Sequence, residues 1–173
     1  IGVPQLGAIQ EARKGIGKSK TTLIADGGIK FSGDIPKALA AGADAVMIGS
    51  LFAGTDEAPG KLIKKNGKLV KIFRGMGSIG AMNKGSADRY FQKRQKDTSK
   101  YVAEGVEGFV KHKGKVDKII YQLIGGLKSS MGYLGSKSIV SLRKDPKFVK
   151  ITKAGFYESM VHNIDEVKKD SKY

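Results

Sequence analysis

Two short apolar runs constrain this chain more than any other feature. Leu23-Ile24-Ala25 runs into Asp26-Gly27-Gly28, and Ala45-Val46-Met47-Ile48 runs into Gly49-Ser50, with one helix-sized segment between them. Apolar runs of this length, bounded by small and turn-forming residues, read as buried strands. Two strands joined by a helix-length crossover pair in parallel, and the crossover is right-handed. Both chemical endings then fall at the carboxyl ends of neighbouring strands, the face where β/α barrels assemble their sites.

The flanking segments support that frame. Pro4 suits a first helical position, with Leu6, Ile9 and Ala12 on one face, Arg13 and Lys14 in the last turn and Gly15 as the stop. A strand is expected over 21–25. Ser32 is placed to cap a second helix that buries Ile35, Ala38 and Leu39 and ends at Gly42, with Pro36 tolerated near its first turn. A second strand covers 45–48.

Beyond Ser50 the pattern changes. Asn66-Gly67 between Leu62-Ile63 and Leu69-Val70 predicts a type I′ hairpin. Residues 74–114 are rich in glycine and charge with little periodicity, which predicts a long irregular excursion of the kind used for lids and binding loops. Val116, Ile119, Ile120, Leu123, Ile124 and Leu127 follow helical spacing. Gly125-Gly126 weakens that helix by roughly 1 kcal/mol per residue relative to Ala, so close packing against a neighbour is expected there. A shorter helix carries Ile139 and Leu142 ahead of a polar tail.

Composition excludes several classes of function. With no cysteine, these residues form no disulfide, thiolate metal site or thiol nucleophile. No apolar stretch approaches the roughly 18 residues of a membrane span. The start, Ile1-Gly2-Val3-Pro4, lacks the charged region of a signal peptide, and a cytoplasmic setting is expected. A net charge of +16 suits nucleic acid, an anionic surface or phosphorylated ligands. The lysines are dispersed, and their densest clusters, at 61–71 and 93–96, contain few interleaved aromatics. They read as a solvated surface, with polyanion binding as the alternative.

The candidate chemistry follows from the strand ends. The carboxylate of Asp26 can accept bonds from a ribose diol, and Gly27 and Gly28 let a ligand approach the main chain; the plainer reading is a capped βα turn. Gly49 and Ser50 open a short helix whose amides and hydroxyl suit a phosphate monoester, with a dipole contribution of about 0.3–1 kcal/mol when exposed. Arg74-Gly75-Met76-Gly77-Ser78 is a third glycine-rich stretch, and Arg89-Tyr90 sits inside the excursion with no pattern to explain it.

Read together, these stretches resemble inosine-5′-monophosphate dehydrogenase. The similarity is carried by Ile24-Ala25-Asp26-Gly27-Gly28-Ile29-Lys30, Ser32-Gly33-Asp34-Ile35 and Val46-Met47-Ile48-Gly49-Ser50-Leu51-Phe52-Ala53-Gly54-Thr55. It continues through Phe73-Arg74-Gly75-Met76-Gly77-Ser78, Arg89-Tyr90, Glu104-Gly105-Val106-Glu107-Gly108 and Glu158-Ser159, from about Gly2 to His162. Gly77-Ser78 after Met76 separates it from the sister family, guanosine-5′-monophosphate reductase.

The resemblance implies an α/β fold, a (β/α)8 TIM barrel represented by its last two β/α units plus a flap excursion and C-terminal helices. The boundaries expected are 1–60 for the strand units and phosphate helix, 61–114 for the hairpin and mobile flap, and 115–173 for the closing helices and tail. It implies a homotetramer that takes inosine 5′-monophosphate and NAD and binds a potassium ion. Its chemistry is addition of a Cys thiolate to the purine, hydride transfer to NAD, then hydrolysis of the adduct after the flap closes. By motif match, Asp26, Gly27 and Gly28 hold the ribose and Gly49 and Ser50 the phosphate. Phe73, Arg74, Gly75, Met76 and Gly77 line the nucleotide, and Glu104 contacts the base.

Arg89 is the expected base for water, supported by Tyr90, although stripping a proton from a guanidinium at pH 8 costs roughly 7 kcal/mol unless transfer is concerted with attack. Glu158, Ser159 and Met160 lend main-chain oxygens to potassium. Two residues depart from the family pattern: Met160 stands where bacterial members usually have His, and Phe73 where Tyr is usual. The nucleophile, most NAD contacts and about six of the eight barrel strands are expected before Ile1, so the 173-residue chain alone is predicted to be inactive.

Overall fold

The computed structural model describes residues 2–161. Helix α1 (Gln5–Ile16) leads into strand β1 (Ile24–Asp26), helix α2 (Asp34–Ala40), strand β2 (Ala45–Met47) and the short helix α3 (Ser50–Ala53). A hairpin of β3 (Leu62–Lys65) and β4 (Lys68–Arg74) follows. Irregular turns then surround α4 (Ile79–Ala81) before β5 (Glu107–Lys111), α5 (Val116–Tyr133), α6 (Ile139–Arg143) and α7 (Lys153–Glu158). The polar tail expected after Leu142 holds a further short helix, α7, and its part beyond 161 lies outside the described residues.

The expected crossover is present. β1 and β2 pair in parallel, with Ile24 opposite Ala45, Ala25 opposite Val46 and Asp26 opposite Met47. The main core lies beneath this pair, where Ile9 of α1, Ala25 of β1, Ile35, Ala38 and Leu39 of α2, Leu123 of α5 and Leu142 of α6 are buried together. At the amino end of β2, Asp44 ties the core elements together. Its carboxylate accepts from Arg13 at 2.5 Å, from the Leu23 amide at 2.8 Å and from Arg143 at 2.9 Å.

Several boundaries differ from expectation for local reasons. α1 runs through Gly15, and the stop is Gly17, whose φ of 55° is the left-handed value a helix end favours in glycine. Pro4 sits at the cap rather than at the first helical position. The first strand is confined to 24–26, without Thr21 and Thr22. Ser32 does not cap α2: Gly33 holds that position, and the Asp34 carboxylate instead accepts from the amides of Lys30 at 3.0 Å and Phe31 at 2.9 Å.

The hairpin turn is as expected, with Asn66 and Gly67 at φ 50° and 74°. The excursion is less irregular than its composition suggests. β5 pairs antiparallel with β4 from Val70 opposite Lys111 to Arg74 opposite Glu107, completing a β3-β4-β5 sheet. Glu107-Gly108-Phe109-Val110-Lys111 is too short and too charged to announce itself; the edge of β4 supplies its pairing. α5 extends past Leu127 to Tyr133. A Cβ added at Gly126 would come within 2.2 Å of Ser32 Oγ, the close packing expected at the glycine pair, whereas one at Gly125 meets open space.

Candidate functional site

Parallel register decides where the first group of candidates lies. Asp26 and Met47 end their strands side by side, so the Asp26-Gly27-Gly28 turn and the Ile48-Gly49-Ser50 turn leave the same edge of the sheet. Strand alternation buries Ala25 and turns Asp26 outward to solvent. The main-chain oxygen of Asp26 accepts from Gln5 Nε2 at 3.0 Å, which fixes the turn from α1 and leaves the carboxylate unengaged by that bond. Gly27 stands at φ 91° with nothing within 4 Å of an added Cβ, so backbone conformation, not crowding, requires glycine there.

Gly49 precedes α3, and the first-turn amides of Ser50 and Leu51 have no acceptor within the helix. With only four residues, α3 contributes those amides and the exposed Ser50 hydroxyl more than a helix dipole.

A second group gathers around the end of β4. The Gly75 amide donates to Val106 O at 2.9 Å, and the Glu104 amide donates to Gly77 O at 2.9 Å. Gly77 and Gly105 let these two stretches meet main chain to main chain: a Cβ on Gly105 would lie 3.0 Å from the Gly77 carbonyl carbon. The half-buried Tyr90 ring rests on Gly77, and beside it Met82, Ala87 and Tyr101 form a small separate core. Ser86 Oγ donates to Met76 O at 2.6 Å.

Arg89 is exposed and lines an open groove of about 500 Å³ together with Arg74, Met76, Lys84, Ser86 and Asp88. Three cations against one carboxylate make this groove positive, which suits an anionic group. Phe73 precedes Arg74 on β4, half-buried and paired with Gly108, while the side chain of Glu104 is exposed.

Glu107, opposite Arg74, organises this region. Its Oε1 accepts from the Gly80 amide at 2.8 Å, and its Oε2 lies 3.5 Å from Arg74 Nε. Partial desolvation pushes the Glu107 carboxyl up, but bonds from Ser78 and Gly80 and the charge of Arg74 outweigh it and hold the group below the usual carboxylate range.

The structure therefore brings Arg74, Gly75, Met76, Gly77, Arg89, Tyr90 and the Glu104 main chain into one neighbourhood. Asp26, Gly27, Gly28, Gly49 and Ser50 form another. No hydrogen bond or ion pair among the described residues joins the two directly. Glu158, Ser159 and Met160 lie apart, at the end of α7, where the Ser159 hydroxyl donates to Phe156 O at 2.7 Å and the Met160 amide to Tyr157 O at 3.0 Å.

Comparison with known proteins assigns the lineage. The family profile described as the IMP dehydrogenase / GMP reductase domain matches residues 1–162. This chain belongs to that family. It is 58% identical over 166 residues to the inosine-5′-monophosphate dehydrogenase of Chlorobaculum parvum, covering 95% of this chain and 34% of that protein. It is 51% identical to the enzyme of the same name from Bacillus subtilis, across 100% of this chain and 35% of the relative. The chain thus spans about a third of the length of these curated relatives. Among solved structures, a cysteine-to-alanine variant of GMP reductase from Trypanosoma brucei, in complex with guanosine 5′-monophosphate, superposes with a TM-score of 0.81 at 46% identity. That match covers 95% of this chain and 32% of the reductase.

Two residues with several partners in this structure have no role that the sequence alone announces. Glu107 stands within a quoted motif, but its pairing with Arg74 becomes visible only once β5 is known to exist. Lys71 is one lysine among many, and nothing in its neighbours marks it as buried.

Proposed function

We propose that this chain is the nucleotide-gripping part of an enzyme that oxidises inosine 5′-monophosphate to xanthosine 5′-monophosphate with reduction of NAD. The observation that carries this reading is the common exit of the Asp26 and Ser50 turns from one edge of a parallel strand pair. Asp26 accepts both ribose hydroxyls, with Gly27 and Gly28 giving the sugar room. Gly49, Ser50 and the first-turn amides of α3 hold the 5′-phosphate. On this reading β1 and β2 are the last two strands of a (β/α)8 barrel, and their free outer edges pair with the remaining strands.

The second neighbourhood completes the grip. Phe73, Arg74, Gly75, Met76 and Gly77 line the nucleotide, and Glu104 reaches the base. NAD, when bound, supplies the hydride acceptor. The nucleophilic cysteine comes from outside these 173 residues, which contain none. Arg89, held beside the nucleotide turn by the Tyr90–Gly77 contact, gives up one guanidinium proton to solvent and takes another from the water as that water attacks the adduct and releases product.

Potassium is held by main-chain oxygens of Glu158, Ser159 and Met160. The donor set fits: helix-end carbonyls are hard oxygen ligands at the negative end of α7, and the Met160 thioether is not required. A homotetramer in the cytoplasm, as the family resemblance implies, completes the proposal.

The alternative within the family is GMP reductase, favoured by the likeness to the Trypanosoma brucei structure. The 58% and 51% identities to dehydrogenases and the Gly77-Ser78 pair favour oxidation. The test is NADH formation from inosine 5′-monophosphate by the full-length enzyme that contains this segment. Asp26→Asn is expected to raise KM for the nucleotide at least about tenfold. Turnover of guanosine 5′-monophosphate in place of inosine 5′-monophosphate reassigns the chain to the reductase. Tight, salt-sensitive polyanion retention that mononucleotides do not compete away reassigns the +16 charge to nucleic acid.

A further inference from the structure

Strand β4 buries a lysine. Lys71 is 4% exposed, on the sheet face it shares with its cross-strand partners Leu62 and Val110. Its ammonium donates to three main-chain oxygens, those of Thr55 at 2.6 Å, Asp56 at 3.1 Å and Ala58 at 2.5 Å. An ammonium has three donors, and all three are spent. No carboxylate forms an ion pair with it among the described residues. A buried charge without a counter-ion is costly unless dipoles replace its water shell. Converging carbonyls do so here, as they do for a dehydrated monovalent cation.

The turn that Lys71 holds begins immediately after α3. Thr55 is 1% exposed and anchors to Phe52 O through its hydroxyl at 2.8 Å. The same turn is fastened to the stretch between β5 and α5 and to the start of α5. Asp56 Oδ1 lies 2.6 Å from His112 Nε2, the Asp56 amide donates to Gly114 O at 3.0 Å, and Glu57 Oε2 accepts from the Val116 amide at 2.9 Å. Lys71 supplies the bonds from β4, the strand that delivers Arg74 three residues later. A four-residue helix has little rigidity of its own, so the position of α3 is set by what grips the turn behind it.

We propose that Lys71 is a positioning residue for the nucleotide: its ammonium, a tethered cation in a carbonyl cradle, fixes the 55–58 turn and so sets the phosphate-holding turn of α3 relative to the Arg74–Gly77 turn. The inference rests on the mononucleotide reading above and adds a residue to it. Removal of the cation leaves three inward-facing carbonyls without a donor, the turn opens, and the phosphate amides move away from the nucleotide. Binding weakens while the reacting groups themselves are untouched.

The test uses the full-length enzyme with Lys71→Met, which keeps the aliphatic stem, and Lys71→Gln, which keeps a donating head without charge. The wild-type enzyme is assayed first, because failure to turn over inosine 5′-monophosphate overturns the mononucleotide reading itself. In the variants KM for the nucleotide is expected to rise about tenfold, with kcat within about threefold of wild type, the pattern of lost uniform binding. Lys71→Arg, which restores a cation with several donors, is expected to recover most of that loss. If Lys71→Met does not fold, Lys71→Gln carries the measurement. A folded variant with unchanged KM, or with reduced kcat at unchanged KM, overturns the positioning role while leaving the function intact.

Discussion

The ring of Tyr90 rests on Gly77, so closely that a Cβ placed on Gly77 would lie 3.0 Å from both Cε1 and Cζ of the ring. The same Cβ would lie 3.0 Å from the main-chain carbon of Glu104. One glycine therefore seats the residue beside Arg89 and the stretch proposed to reach the base. Gly77→Ala has to displace backbone on one side and a half-buried ring on the other. The full-length variant is expected to lose about tenfold or more in kcat/KM, because a misplacement of about 1 Å near a reacting group is enough for that. Its thermal midpoint should fall as well, since the displaced Tyr90 ring packs against the second small core of Met82, Ala87 and Tyr101. Wild-type kinetics in Gly77→Ala would show that the contact is incidental.

The glycine pair in α5 separates propensity from packing. Gly125→Ala adds a methyl group in open space and is expected to stabilise by up to about 1 kcal/mol, the usual gain over glycine in a helix. Gly126→Ala drives its methyl into Ser32, 2.2 Å from Oγ and 2.3 Å from Cβ, and is expected to destabilise by about 1–3 kcal/mol. Removing the obstacle in the double variant Gly126→Ala, Ser32→Gly should return much of the loss. Thermal and denaturant unfolding of the three variants measures all of this. The same sign for both single changes would contradict the packing account.

Asp44 gives the fold a pH dependence of known sign. A bond from the Leu23 amide and the guanidinium of Arg13, with Arg143 beyond it, hold its carboxyl below the usual range against a smaller desolvation effect. A depressed carboxyl means that the unfolded chain binds the proton more readily, so stability rises with pH through this window. The contribution is complete above the ordinary Asp value of about 3.9 and is lost as pH falls through the lower native one. Asp44→Asn is expected to cost about 1–2 kcal/mol near neutrality and to flatten the acid limb of stability against pH. An unaltered acid limb would falsify the role given to Asp44.

Much of this was legible where local and tertiary signals agree. The parallel pair follows from two apolar runs at crossover spacing, and the hairpin follows from Asn66-Gly67, whose conformation few other pairs adopt. The failures share a cause. Ser32 looked like a cap because serine generally is one, but Asp34 takes up the amides of the turn from within the helix. β5 escaped notice because its pairing is a property of β4, not of Glu107-Gly108-Phe109 itself. Lys71 had no signal at all: a lysine in a lysine-rich hairpin reads as solvated, and only the convergence of three distant carbonyls makes it otherwise. The strand-end candidates were legible because their placement depends only on strand direction.

Arg89 and Asp26 are assigned to different stages of the proposed reaction, and kinetics can separate them. In that proposal Asp26 belongs to binding, while Arg89 sits exposed at the rim of the groove it shares with Arg74 and Met76, away from any buried structural duty. Arg89→Ala in the full-length enzyme is therefore expected to leave the fold and the first hydride transfer intact. Release of product should slow by about a hundredfold, the low end of what a positioned base contributes. In rapid-mixing experiments this gives a full burst of NADH followed by a slow steady state. Tyr90→Phe keeps the ring against Gly77 and should slow the second phase less. Loss of the burst itself in Arg89→Ala would place Arg89 in binding or hydride transfer and end its assignment as the residue that activates water.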